Sequence, residues 1–188
     1  MAEDPRIERS RRVVRDAVLD ELADSGYGDL TIEGVARRAG VGKSTVYRHW
    51  PDKAALVIDA LEHAHHDLVP DLESGTARDR VVRLVGHVAE VATDARFSRC
   101  IAALVDAAER DVRLREFHHQ YSSDRRSELA AVIRSGVDDG DFDRATDVDA
   151  AVVAILGVVF YRRFMTAQPV TAADAAPIVD AVMPTPLT

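Results

Sequence analysis

Apolar residues in this chain recur three and four positions apart with no sustained alternate-residue pattern, so almost every stretch between glycine and proline breakers reads as helix. No sheet is expected. The spacing predicts a first helix over 6–24, with Val14, Ala17, Val18 and Leu22 on one face and Arg11, Arg12 and Arg15 elsewhere. Ser25-Gly26-Tyr27-Gly28 ends it, because glycine accepts the left-handed cap conformation. Thr31 then caps a short helix carrying Ile32, Val35, Ala36 and Ala39. Gly40-Val41-Gly42 interrupts that helix after about two turns, and a second short one follows over 44–49, closed by Trp50-Pro51. Asp52 is a good N-cap for a fourth helix reaching about residue 68.

Longer helices follow near 77–93, 98–110, 111–136, 147–167 and 172–183, the last kinked or restarted at Pro177. Three Thr-x-x-Asp start signals recur, at Thr76 with Asp79, Thr146 with Asp149 and Thr171 with Asp174. With 47% apolar residues in 188, the chain can bury a substantial core, and disorder is not the default. The longest uncharged apolar run, Ala150 to Tyr161, is too short to cross a bilayer, and the N-terminus lacks a secretory pattern. A cytoplasmic protein without membrane partners is expected. Cys100 stands alone, which rules out an intrachain disulfide and disfavours redox chemistry.

The formal net charge of −8 argues against a nucleic-acid partner only until it is divided along the chain. From Thr31 to Lys53 there are five basic residues, Arg37, Arg38, Lys43, Arg48 and Lys53, against Glu33 and Asp52, a balance of +3. From Leu56 onward, 14 arginines face 22 carboxylates, a balance of −8. Both lysines of the protein lie in the short positive segment. A basic head on an acidic body is the pattern.

Two short helices joined by a tight glycine-containing turn, the second basic and rich in hydroxyls, form a helix-turn-helix over about 31–50. Ile32, Val35, Ala36, Val41 and Val46 would pin the pair against the first helix. Lys43, Ser44, Thr45, Tyr47, Arg48 and His49 include the residues left to face a duplex, and Gly42 lets backbone N–H groups approach a phosphate. Lys43, Tyr47 and Lys53 suit phosphate contacts, while Ser44, Thr45 and Arg48 suit base edges. A nucleotide-binding loop is excluded although Gly42-Lys43-Ser44-Thr45 reads like the end of one. That motif needs a glycine where Arg37 stands, and a preceding strand.

Through Gly26-Tyr27, Leu30-Thr31-Ile32, Val35-Ala36 and the run from Ala39 through Gly42-Lys43-Ser44-Thr45-Val46-Tyr47 to Asp52-Lys53, the sequence resembles the TetR family. The match spans about residues 10 to 60, and the remainder is similar to the family only in being long, helical and variable. The resemblance implies an all-α fold: a three-helix helix-turn-helix DNA-binding domain, here 6–52, and a larger ligand-binding and dimerisation domain, here 53–183. It implies a repressor that binds palindromic DNA as a homodimer and lets go when an effector binds the C-terminal domain. Lys43, Tyr47 and Lys53 match family positions directly, whereas Arg48 and His49 fall at variable ones; Thr31 joins the DNA-binding set.

The stretch from Ala150 to Tyr161 is apolar all round, so its helix needs cover on two sides. An isologous dimer through the helices near 147–167 and 172–183 would supply the second, with Gly157 permitting close approach. Leu84, Val88, Leu104, Tyr121, Phe160 and Phe164 are the candidate lining of an effector pocket, and their character suits a hydrophobic or aromatic molecule. His63, His66 and Asp67 share a helix face that could begin a metal site, completed by His118 and His119, but solvated histidines are the plainer account. Asp139, Asp141 and Asp143 open like a calcium loop, yet Arg144 and Ala150 occupy places that need glycine and glutamate. No metal or cofactor is expected. No nucleophile-and-base set can be assembled, which leaves an enzyme or a helical small-molecule-binding protein without DNA function as the alternative reading.

Overall fold

The computed structural model describes residues 5–66, 72 and 74–183. Its α-helices are α1 (Pro5–Asp29), α2 (Ile32–Ala39), α3 (Lys43–His49), α4 (Lys53–His66), α5 (Ala77–Thr93), α6 (Ala95–Ala108), α7 (Val112–Asp139), α8 (Val148–Met165) and α9 (Ala175–Val182). Among the described residues there is no strand, in keeping with the spacing of apolar positions. None of the helices described is long and apolar enough to cross a membrane.

Several boundaries differ from the sequence expectation for identifiable reasons. α1 breaks at Gly26, where φ is +75°, but resumes for a short turn that the Leu30 N–H closes on the Gly26 carbonyl at 3.3 Å. α7 runs past Gly136 to Asp139, and the stop is Gly140, with φ +83° and its N–H on the Val137 carbonyl at 3.3 Å. Thr146 does not cap α8. Asp147 does so, accepting from the Ala150 N–H at 3.0 Å, so the helix begins at Val148. The other two Thr-x-x-Asp signals form capping boxes, Thr76 with Asp79 and Thr171 with Asp174. The second starts a 3-10 turn, Ala172–Asp174, from which α9 continues at Ala175. Pro177 therefore sits within the first turn of α9, where its missing N–H costs no helical hydrogen bond.

The chain divides into two compact units. In the first, α1 to α4 are joined by Ala95–His119, which holds α6 and the opening turns of α7. Its core takes Val14, Val18 and Leu22 from α1, Val35 from α2, Val46 from α3 and Leu56 and Leu61 from α4. Cys100 and Leu104 of α6 and Leu114 of α7 belong to the same core. The Cys100 thiol is buried and donates to the Leu19 carbonyl at 3.3 Å, a packing role. Arg96 of α6 pairs with Asp16 at 3.2 Å and Asp20 at 3.0 Å on the outer side of α1.

The second unit holds α5, the chain from Gln120 onward, and a core of Val81, Val85, Ile133, Phe142, Ile155, Val159 and Val179. Asp141 accepts from the Ala77 N–H at 2.8 Å and Asp143 from the Ala145 N–H at 2.8 Å, so the aspartate run ends a turn and helps start α5. α8 buries Ala151, Val152, Ile155 and Val159 on one face. Its other face leaves Val153, Gly157, Phe160, Tyr161, Phe164 and Met165 exposed, a stripe stepping by three and four.

Candidate nucleic-acid interface

Thr31 opens α2 in extended conformation, and its hydroxyl accepts from the Gly34 N–H at 3.0 Å. α2 ends at Gly40, whose φ of +66° only glycine adopts without strain. There the Gly40 N–H bonds the Arg37 carbonyl at 3.2 Å and the Val41 N–H the Ala36 carbonyl at 3.0 Å, the paired bonds of a Schellman stop. The chain turns at once into α3, with Gly42 as an N-cap that has no side chain to cover the helix start. Val46 is fully buried on one side of α3. Gly42, Lys43, Ser44, Tyr47 and Arg48 are exposed, and Thr45 and His49 are half-buried. Exposure at 43, 44, 47 and 48 marks one face of a helix.

Cations of the segment divide by their partners. Lys43 Nζ lies 2.6 Å from Glu33 Oε1, and the hydrogen bond from Lys43 holds the Glu33 carboxyl below its ordinary range. Arg38 reaches back to Glu21 at 3.2 Å and Asp24 at 3.0 Å, tying α2 to α1. Lys53 Nζ donates to the Tyr27 carbonyl at 2.8 Å and the Gly28 carbonyl at 3.3 Å, and sits 4.3 Å from the centre of the Tyr27 ring. Arg37 and Arg48 are exposed and make no ion pair among the described residues.

A polar hub fixes the end of α3. Trp50 Nε1 donates to Asp59 Oδ2 at 2.9 Å, and Arg15 Nε donates to the same oxygen at 2.8 Å. Arg15 also donates to Glu8 at 2.8 Å, and only 5% of it is exposed. Burial pushes the Asp59 carboxyl up, but the bonds from Arg15 and Trp50 outweigh it and leave it below the ordinary aspartate value. Sequence reading missed this hub, since Arg15 and Asp59 are 44 positions apart and no local pattern links them.

The six residues proposed to line a pocket are divided between the two units. Leu104 is buried in the core of the first unit. Leu84 is buried in the core of the second, with Val88 packed against it. Tyr121 lies beside Arg125, whose guanidinium is 5.7 Å from the ring centre, and burial raises its phenol. Phe160 and Phe164 stack on each other at 6.3 Å on the exposed stripe of α8. His63 Nδ1 lies 2.9 Å from the Asp59 carbonyl, while the side chain of His66 and all of Asp67 fall outside the described residues. The rings of His118 and His119 are 5.9 Å apart, and no cluster of three metal-ligating side chains occurs among the described residues.

Comparison with known proteins matches the interface and the rest of the chain separately. Residues 14–60 match the model for bacterial regulatory proteins of the tetR family, and residues 69–182 match a tetracyclin repressor-like C-terminal domain. The HTH-type transcriptional regulator YdeS of Bacillus subtilis is 27% identical over 167 residues, covering 88% of this chain and 84% of that protein. A crystal structure of the TetR family transcription regulator SCO0332 superposes with a TM-score of 0.69 at 31% identity, covering 92% of this chain and 95% of that one. The fold is also that of FadR from Bacillus subtilis, solved with stearoyl-CoA, at a TM-score of 0.71, 18% identity and coverage of 92% and 97%.

Proposed function

Because this chain belongs to the TetR family of bacterial regulatory proteins, we propose that a homodimer of it reads a two-fold operator through α3 and is released by a small apolar effector. It is a DNA-binding transcriptional regulator; the direction of control and the residues that carry it are our reading. The observation that carries it is the uncovered face of α3, where Lys43, Ser44, Tyr47 and Arg48 all point away from the buried Val46.

On this reading residues 6–52 do the recognition, and 53–183 sense the effector and pair the chains. Arg48, with no ion pair among the described residues, and the hydroxyls of Ser44 and Thr45 address base edges in the major groove. Lys43, Tyr47, Lys53 and the open start of α3 at Gly42 address phosphates, with Thr31 and His49 at the margins. Lys43 exchanges the Glu33 carboxylate for a phosphate on binding. The apolar stripe of α8, from Val153 to Met165, together with α9, supports the pairing, since it leaves large side chains such as Tyr161 64% exposed. Leu84, Val88 and Tyr121, all within the second unit, are the residues of the expected lining that would meet the effector, and FadR, solved with stearoyl-CoA, supports an apolar one.

Selection of bound sequences from random duplex DNA tests the proposal. A two-fold consensus is expected. Lys43→Ala should then weaken binding to every duplex and lower the salt slope by about two, one for each chain of the dimer, while Arg48→Ala should relax the preference at one position of each half-site. Salt-independent binding, or unchanged preference in Arg48→Ala, would overturn it.

A further inference from the structure

We infer that Arg113 and Asp111, at the start of α7, are positioning residues for DNA binding, holding Lys53 in place through Asp52 and Tyr27. The inference rests on the proposed phosphate role of Lys53, and it adds two residues far from the helix-turn-helix in sequence.

Two carboxylates of the first unit each serve two masters. Asp52 Oδ1 accepts from the Ala55 N–H at 3.0 Å, capping α4, and both its oxygens take the Arg113 fork, Nη1 to Oδ2 at 2.9 Å and Nη2 to Oδ1 at 3.2 Å. Asp111 repeats the arrangement at the start of α7. Its Oδ1 accepts from the Arg113 N–H at 2.9 Å, and its Oδ2 accepts from the Tyr27 hydroxyl at 3.3 Å. The starts of α4 and α7 are thereby laced to each other and to the end of α1. Lys53 sits inside the lacing, next to Asp52 in sequence and seated on the Tyr27 ring and on the carbonyls of Tyr27 and Gly28. An ammonium has three donors; two are used, which leaves one for a phosphate.

The magnitudes say what the lacing is for. Arg113 is 53% exposed and Asp52 43%, and a pair so open to water contributes little to folding. Its geometry is nonetheless two-pronged, and Arg113 holds the Asp52 carboxyl down while Asp52 holds the guanidinium up. Burial and the neighbouring Asp111 carboxylate keep the Tyr27 phenol protonated, its pKa pushed up to about 12, so it stays a donor at any working pH. Weak contribution to stability with tight orientation is what a positioning contact provides.

The test measures operator affinity across a salt series, on a duplex obtained by the selection above, for Lys53→Gln, Arg113→Gln, Asp52→Asn and the control Arg110→Gln. Arg110 carries the same charge nearby but pairs with Asp106 one turn earlier in the chain. Lys53→Gln should weaken binding about fivefold or more and lower the salt slope by about two, one for each chain of the dimer. Arg113→Gln and Asp52→Asn should both weaken it with a similar loss of slope, although one removes a positive charge and the other a negative one. Melting temperatures should barely move, and the double variant Arg113→Gln/Lys53→Gln should bind no worse than Lys53→Gln alone. If Lys53→Gln weakens binding but Arg113→Gln and Asp52→Asn stay within about twofold of wild type, or shift in opposite directions as bulk charge alone requires, the positioning role is refuted and the phosphate role of Lys53 stands. If Lys53→Gln itself binds as wild type does, the proposed role of Lys53 fails and the inference with it.

Discussion

Arg15 is a guanidinium with 5% of its surface exposed, and such a group is tolerated only when its hydrogen bonds are made. Asp59 and Glu8 make them, and the Asp59 oxygen that takes Arg15 Nε also takes the Trp50 indole N–H, so one side chain of α4 locks α1 and the exit of α3. Asp59→Ala should cost about 2 kcal/mol, because charge-assisted bonds are lost and Arg15 keeps only Glu8. Urea unfolding checks it, and a loss below about 0.5 kcal/mol would mean the hub holds nothing. Its pH dependence has a fixed sign. The folded carboxyl is held below the ordinary aspartate value, so its stabilisation is present above about pH 4 and drains away as the pH falls through that range. A wild type that loses no more stability on acidification than Asp59→Ala does would contradict this. None of it was legible in the sequence, where Arg15 is one arginine among several off the apolar face of its helix.

Helix ends were easier to read than helix middles. Thr31 and Thr76 were legible because a cap is local chemistry, a hydroxyl accepting from a backbone N–H three residues on, and Thr171 because its own N–H and hydroxyl donate to the Asp174 carboxylate three residues on. Thr146 misled because Asp147, the next residue, is an equally good acceptor and the tertiary structure chose it. Gly136 misled for a different reason. The spacing places the end of the helix near 136, yet Gly136 lies inside α7, where a Cβ would come 2.5 Å from the Phe142 ring and 2.7 Å from Ala77 Cβ. Glycine is there for close packing, and the true stop is Gly140. Two effects of Gly136→Ala therefore oppose each other: helix propensity gains about 1 kcal/mol, and overpacking costs about 1–3 kcal/mol. Contacts this short require backbone movement, so the account expects net destabilisation in thermal or urea unfolding. A stabilised variant would show that the packing at Phe142 gives way.

For the molecule as a whole, a basic head and an acidic body were legible in the charge, and α8 in its unbroken hydrophobicity, though not which of its faces is buried. The sequence could not reveal that α6 and the start of α7 pack with α1 to α4, since that depends on Cys100, Leu104 and Leu114 sharing one core with Val14 and Val18 across some ninety positions. Nor could it separate Leu104 from Leu84, two leucines that read alike on their helix faces and belong to different cores. Chain pairing through α8 predicts that Tyr161→Glu, placed on the exposed stripe, shifts sedimentation from dimer to monomer while leaving the helical signal intact. An unchanged dimer would move the interface elsewhere. The most direct measurement is the mass of the complex formed with a selected palindromic duplex, set beside its affinity for a single half-site. Two chains per palindrome are expected, with a half-site bound weaker by about a hundredfold or more. One chain per duplex, with equal affinity for the half-site, would contradict it.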